Sequence, residues 1–343
     1  MIPIQNIYYM LSYAFQVLNE QGYKNIATEQ FNNTGELMAA ILEKGIAIQL
    51  KRGLGKEYIL QTEALSSLRG KIDIAESIKT QSMLRKQLIC TYDEFSVNSI
   101  MNRIIKSTVE LLLRSNISKQ RKKNLRKLMV YFSEVDFIDL YTVNWNVQYN
   151  RNNQTYHMLI SICYLVVKGL LQTQSNGHTE LMDFLDEQRM CRLYEKFILE
   201  YYRKEFKNQF TANASQIPWQ LDNEENSMLP VMQSDIMLQS GEKVLIIDAK
   251  YYEHSTQVQF DKHTLHSGNL YQIFTYVKNK EYELREKDHT VSGMLLYAKT
   301  DEEIYPNNVY QMSGNQITVR TLDLNLPFDE IAGQLNTIAK THF

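Results

Sequence analysis

The sequence predicts a mixed chain of the α+β or α/β class. A mostly helical first part covers residues 1–150, and a second part, residues 151–343, is built on a mixed central sheet flanked by helices. Three observations carry this expectation. Apolar residues recur at three- and four-residue spacing through much of the first 132 positions. Residues 146–154 then hold four asparagines and no apolar rhythm, the composition of a boundary. From Met232 to Ala298 the periodicities run strand, strand, helix, strand.

Taken in order, Ile7 to Leu18 reads as a helix with one apolar face, and Gly35 to Leu50 as a second. The pattern turns irregular between Tyr58 and Ile74, where Tyr58–Leu65 and Leu68–Ile74 fit short strands. Helical spacing returns over Asn98–Leu113 and Asn124–Phe132. Beyond the boundary, His157–Leu171 and Asp186–Phe206 read as helices. The second of these carries the stripe Met190, Leu193, Tyr194, Phe197, Ile198 and Tyr201. Met232–Leu238 and Lys243–Tyr252 are β-type runs on either side of Gln-Ser-Gly-Glu, a hairpin-turn composition. Asn269–Val277 reads as a helix and Val291–Ala298 as a buried strand.

Composition narrows the class of protein. With 343 residues, 44% apolar and 22% charged, the chain has enough material for a full core and two domains. A net charge of −2 and a pI near 6.4 provide no bulk excess of positive charge for nucleic acid. A nucleic-acid enzyme of this balance needs a local basic groove, a partner that holds the substrate, or both. The three cysteines, Cys90, Cys163 and Cys191, are too few and too widely spaced for a disulfide framework or a paired-cysteine metal clip, and read as reduced thiols. The apolar N-terminus lacks the basic segment of a signal peptide, and Met158–Leu171 is too short to span a bilayer, so a cytoplasmic protein with no membrane segment is expected.

The informative stretch is Ser234-Asp235, followed by Val244-Leu-Ile-Ile-Asp248-Ala-Lys250. On a strand, side chains two apart share a face, so Asp248 and Lys250 point the same way. A hairpin across Gln239–Glu242 carries Asp235 toward Asp248. Adjacent carboxylates repel, and a lysine buried beside them is costly unless its charge is used. A divalent metal resolves the conflict, because Mg²⁺ accepts one or two carboxylates together with waters and a substrate phosphate. On the following helix, Gln272 and Tyr276 share a face at i,i+4 spacing. A lone Asp-x-Lys is a common surface pair, so the flanking buried run and the second aspartate are what raise it to a site.

Asp235, Asp248-Ala-Lys250 and Gln272-x-x-x-Tyr276 together resemble the PD-(D/E)xK nuclease superfamily in its RecB-like branch. The N-terminal Ile2-Pro-Ile-Gln-Asn-Ile-Tyr-Tyr-Met-Leu11 is similar to McrC, the nuclease subunits of McrBC-type restriction systems. So are Leu65-x-x-Leu68-Arg-Gly-Lys-Ile-Asp73, Asp93-Glu-Phe-Ser96 with Asn102-Arg103, and Leu193-Tyr-Glu-Lys-Phe197. The resemblance runs from the N-terminus to about Ala298. It implies a restriction-endonuclease-like second domain in which Asp235 and Asp248 bind Mg²⁺, with Mn²⁺ as a substitute. Lys250 is then the catalytic lysine, Gln272 and Tyr276 the accessory motif, and Glu195 a further acidic residue of the metal site. Ser234 stands where the superfamily's name has proline, and Pro230 lies five residues before Asp235.

The resemblance also implies partners: a McrB-type AAA+ GTPase ring, which binds the GTP, and double-stranded DNA. The first domain would dock to the ring and stimulate it, with Arg69, Lys71, Asn102 and Arg103 as candidate contacts. The chain's own Gly53-Leu-Gly-Lys56 is not a phosphate-binding loop, because Glu57 replaces the required hydroxyl residue and Leu50 the first glycine. Two other readings stand beside the nuclease subunit: a non-cutting adaptor that only activates the GTPase, and a partner-independent nuclease acting on DNA ends. Lys119–Lys127, with six basic residues in nine, reads either as a phosphate- or partner-binding run or as a solvated helix start. His254, His263 and His266 lack zinc-site spacing and read as loop residues.

Overall fold

The computed structural model describes residues 2–15, 18, 26, 29, 31, 33–149, 155–174, 187–222, 228–252, 257–259, 262–299 and 305–343. The chain forms two compact units, Thr28–Asp183 and a second composed of Met1–Ala27 with Phe184–Phe343. This differs from the expected division after residue 150, a position that lies outside the described residues together with 151–154. The opening helix α1 (Ile4–Ala14), expected over Ile7–Leu18, belongs to the second unit.

In the unit Thr28–Asp183, helix α2 (Thr34–Arg52) starts where the Asn33 side chain accepts from the Glu36 N–H at 2.8 Å, and ends at Gly53 with φ 90°. Strands β1 (Glu57–Leu65), β2 (Lys71–Asp73) and β3 (Leu88–Ser96) form an antiparallel sheet in the order β1-β3-β2, with α3 (Ile74–Lys79) between the last two. Gly70 has φ 70°, and a Cβ there would lie 2.3 Å from the Thr91 carbonyl oxygen, so this turn requires glycine. Arg69 lies over the Tyr92 ring at 4.2 Å. Helices α4 (Ile100–Arg114), α5 (Lys119–Met129) and α6 (Tyr156–Gln174) follow, and α2 contacts all three.

A buried polar knot ties this unit together. Asn102 Nδ2 donates to the carbonyls of Gly55 (2.9 Å) and Val97 (2.8 Å), and its Oδ1 accepts from Tyr156 Oη at 2.7 Å. The Gly55 N–H closes the circuit on Tyr156 Oη at 2.7 Å. Asn102 is fully buried, so its place in the Asn102-Arg103 motif is structural. The Gly53–Lys56 segment connects α2 to β1 and is held through Gly55, whose N–H and carbonyl both join this circuit.

In the second unit, α7 (Glu187–Glu205) leads to β4 (Thr211–Asn213), β5 (Gln216–Ile217), β6 (Met232–Gln233), β7 (Ile236–Ser240) and β8 (Lys243–Lys250). The short strands β9 (Gln257–Gln259) and β10 (Lys262–Thr264) precede α8 (Ser267–Glu283), β11 (Thr290–Ala298), β12 (Asn308–Met312), β13 (Asn315–Leu322) and α9 (Phe328–His342). Six strands make a mixed sheet in the order β12-β13-β11-β8-β7-β4, with β8 and β13 parallel to β11 and the other pairs antiparallel. Helix α8 packs on β11, β8 and β13, while α7 lies against β4, β7 and β8, so the expected mixed sheet with flanking helices is what the chain forms.

Alternation along β8 sends Val244 and Ile246 into the cluster that also holds Ile273 and Val277 of α8, Val291 and Leu295 of β11, and Ile317 and Val319 of β13. At Gly293 on β11 a Cβ would lie 2.8 Å from both Ile273 and Val277, so the absent side chain lets α8 settle directly on the strand. The expected strand Met232–Leu238 is broken at Ser234-Asp235, because β6 pairs with β5 and only Ile236–Ser240 joins the main sheet. Of the histidines read as loop residues, His254 lies outside the described residues, His263 falls in β10, and His266 is the N-cap position of α8.

Helix α1 joins this unit through its polar and aromatic side chains. Asn6, 4% exposed, donates from Nδ2 to the carbonyls of Leu324 (2.7 Å) and Leu326 (2.8 Å), between β13 and α9. Tyr9 stacks on Phe328 at 4.5 Å, and Tyr13 packs against Phe197, Tyr201 and Phe328. These contacts account for the N-terminal signature and for its separation from the unit that follows it in sequence. Asn6→Ala leaves two carbonyls without their donor and should cost about 1–3 kcal/mol. Urea unfolding of the two proteins side by side measures it, and equal midpoints would refute this role for Asn6.

Candidate active site

Strands β7 and β8 meet in a two-residue turn, Gly241-Glu242, with Ser240 opposite Lys243 and Gly241 at φ 59°. The register pairs Ile236 with Ile247, so one further step sets Asp235 across from Asp248. Side chains two apart share a face, and Asp248 and Lys250 therefore continue the row begun by Val244 and Ile246. The row runs from the α8 core to the C-terminal end of β8, beside Tyr297, the partner of Lys250 on β11.

Lys250 Nζ lies 2.8 Å from Asp248 Oδ2, with the two side chains 14% and 1% exposed. The contact is an ion pair, and no backbone N–H among the described residues donates to either buried Asp248 oxygen. Burial pushes the Asp248 carboxyl up to about 7; Lys250 pulls it down and the facing Asp235 raises it. Burial alone would lower Lys250, but Asp248 and Asp235 hold it above the usual lysine range. Asp235 is anchored by its Oδ2, which accepts from the Ala249 N–H at 2.9 Å.

Helix α8 supplies the next residues. Lys250 Nζ is 3.5 Å from Gln272 Oε1, and Gln272 Nε2 donates to Tyr276 Oη at 2.9 Å. Helix α7 supplies Glu195. Its carboxyl is raised by burial and then by Asp235, and the Cys191 thiol donates to its Oε1 at 3.0 Å. All six residues singled out in the sequence thus belong to one neighbourhood. Among the described residues, however, no three His, Cys, Asp or Glu side chains form a ready-made metal cage. Asp235 and Asp248 are the opposed pair, and Glu195 is linked to them through charge.

Sequence reasoning missed a second layer. Tyr252 Oη donates to Asn269 Oδ1 at 3.2 Å, and Asn269 Nδ2 donates to Tyr297 Oη at 3.0 Å. The signal was present in the helix, since Asn269, Gln272 and Tyr276 follow i, i+3, i+7 spacing on one face. Cys191 was also read only as a thiol; it is pushed up to about 12 by burial and by Glu195, so it stays protonated and able to donate.

The donor set suits a divalent cation. A buried carboxylate paired only with the Lys250 ammonium faces a second carboxylate, and hard oxygens of this kind bind Mg²⁺. Comparison with known proteins then gives the class. The family described as "McrBC 5-methylcytosine restriction system component" matches residues 5–298. A relative from Escherichia coli (strain K12), "Type IV methyl-directed restriction enzyme EcoKMcrBC", is 30% identical over 329 residues, 94% of this chain and 93% of the relative. Two solved structures from Thermococcus gammatolerans also align. One is the half-complex of "McrB AAA+ hexamers with bound McrC", 18% identical at a TM-score of 0.49, covering 98% of this chain and 76% of that one. The other is the McrBC complex, 22% identical at a TM-score of 0.43, covering 60% and 59%.

The chain is therefore a restriction-system component. More narrowly, it belongs to the McrBC 5-methylcytosine restriction system component family, in line with its McrC-like motifs.

Ser234 has its own explanation. Its N–H donates to the Ser215 carbonyl at 3.0 Å and its hydroxyl donates to the same oxygen at 3.1 Å. A proline could make neither bond. Ser234→Pro, although it restores the superfamily's nominal residue, should destabilise the chain by about 1–3 kcal/mol. A denaturation midpoint at or above that of the native protein would show that the Ser215 link is dispensable.

Proposed function

We propose that this chain is the nuclease subunit of a GTP-dependent McrBC-like restriction system, a Mg²⁺-dependent DNA endonuclease that also stimulates an McrB-type AAA+ GTPase. The observation that carries the reading is the buried Asp248–Lys250 pair, with Asp235 facing it and Gln272–Tyr276 beside it. A solvated surface pair would be neither this buried nor this short of hydrogen-bond donors.

Asp235 and Asp248 would hold Mg²⁺, with Glu195 as the third acidic group. When bound, the metal would neutralise the phosphodiester and lower the pKa of a water at that position. Lys250, kept charged by its carboxylate neighbours, orients the attacking water or stabilises negative charge developing at the phosphate. Gln272 limits the swing of the Lys250 ammonium, and Tyr276 in turn holds the Gln272 amide. The Ala249 N–H fixes one oxygen of Asp235 opposite Asp248. Bond breaking is hydrolysis: water oxygen joins phosphorus and the sugar oxygen leaves with a proton.

The GTPase partner would bind the GTP, and the unit Thr28–Asp183 would dock to it. That unit exposes Tyr58, Leu60 and Phe95 on its small sheet, with Tyr58 opposite Phe95 in register and their rings 5.0 Å apart. Exposed aromatic and aliphatic side chains in such a cluster mark a protein contact. No helix among the described residues is long and apolar enough to cross a membrane.

Plasmid cleavage with Mg²⁺, GTP and the GTPase partner tests the nuclease assignment. Asp248→Asn should cut at least about 100-fold more slowly while stimulating GTP hydrolysis like the native chain. If the native chain stimulates GTP hydrolysis but does not cut, it is an adaptor and the nuclease reading fails. Leu60→Asp should do the reverse: GTPase stimulation falls by about tenfold or more as the apolar contact is lost, while the metal site stays folded. Unchanged stimulation would move the docking surface elsewhere.

A further inference from the structure

Helix α5 carries the chain's densest positive charge, and the fold uses only one of its basic residues. Arg121, 16% exposed, is clamped by Glu29 (2.8 Å), Glu43 (2.9 Å) and Glu36 (3.4 Å). The remaining five, Lys119, Lys122, Lys123, Arg126 and Lys127, make no ion pair among the described residues; Lys122 is half-buried and the other four are exposed. Their spacing is i, i+3, i+4, i+7, i+8, so they form one stripe along the helix, with Lys123 and Lys127 opposite buried Leu125. At 1.5 Å per residue the stripe is about 12 Å long. No aspartate or glutamate occurs between Glu110 and Glu134 to offset it.

This arrangement works against the helix that bears it. Like charges at three- and four-residue spacing repel, and the first turn, where acidic residues are favourable, carries lysine and arginine and no acid. A solvated face selected for stability would mix signs, as α8 does with Lys278–Glu281 and Lys280–Glu283. The protein as a whole is acidic, so the stripe is a local device and not a reflection of composition.

We propose that this stripe of α5 binds the phosphate backbone of duplex DNA, independently of sequence, outside the unit that carries the candidate active site. Lysine and arginine side chains in a row match phosphates as point charges, and release of counterions supplies the affinity. The choice of DNA over an acidic protein rests on the proposed nuclease reading, since a DNA-cutting chain with pI near 6.4 needs a local positive surface.

The test measures anisotropy of a labelled duplex with the full chain across a salt series. It compares the native protein, the triple variant Lys119→Ala/Lys123→Ala/Lys127→Ala, and the same three positions changed to arginine. The alanine variant should bind about tenfold or more weakly, with a log–log salt slope shallower by about three, while the arginine variant keeps both. Thermal melting should show the alanine variant no less stable than the native chain, because repulsion has been removed. Equal affinity and slope in the alanine and native proteins would overturn the inference, as would an arginine variant as weak as the alanine one. Unchanged DNA binding with lost assembly onto the GTPase partner would also overturn it and assign the stripe to a protein contact. Cleavage assayed in parallel keeps the two readings apart. A native chain that binds DNA through α5 but does not cut loses the nuclease reading alone. One that cuts, with binding indifferent to α5, loses this inference alone.

Discussion

The ion pair between Asp248 and Lys250 constrains the second unit through the register and packing it requires. Both charges leave water, and their attraction offsets that loss only while the geometry holds. The tight turn at Gly241-Glu242 fixes the register of β7 against β8, and a slip by one residue would turn Asp248 toward the α7 face. The parallel partner β11 places Tyr297 beside Lys250, and Gly293 in the same strand lets α8 approach closely enough for Gln272 to reach the lysine. Core packing and site geometry are therefore one problem, because the row that begins as Val244 and Ile246 ends as Asp248 and Lys250.

Much of this site was legible because strand alternation and helix spacing are short-range rules. Asp248-x-Lys250 and Gln272-x-x-x-Tyr276 each share a face by periodicity alone, and Gln-Ser-Gly-Glu signalled the turn. What could not be read was long-range. Nothing near Asn6 in sequence shows that its amide is held by the carbonyls of Leu324 and Leu326, and the compact units divide differently from the expected boundary after residue 150. The break between β6 and β7 escaped notice for a similar reason: Ser234 leaves the main sheet to bond Ser215, and an unbroken apolar rhythm hides that. Strands β12 and β13 and helix α9 were not read at all, although Ile317 and Val319 alternate into the core.

The residues singled out beyond the β8 site divide into scaffolding and surface. Gly70 is required by backbone crowding against Thr91, Asn102 by a closed circuit of hydrogen bonds, and Phe197 by the rings of Tyr13, Tyr201 and Phe328. These residues shape the units without touching a substrate. By contrast, Tyr58, Leu60 and Phe95 on one sheet and Lys119, Lys123 and Lys127 of α5 are exposed and add nothing to the folded core. The first unit therefore pairs an internal economy of hydrogen bonds with two outward faces of opposite character, one apolar and one cationic.

The attachment of α1 to the far end of the sequence has a consequence for synthesis. The unit with the candidate active site starts at the first helix, is interrupted by residues 28–183, and closes only when β13 and α9 exist to receive Asn6 and Tyr9. On the ribosome, the inserted unit has all of its residues before the strand bearing Asp248 emerges. The strand bearing that aspartate lacks its parallel neighbour until β11 appears, and β11 lacks its own other partner until β13 follows. A site wired in this way stays unassembled on nascent and truncated chains, so the insertion topology itself defers its completion to the end of synthesis.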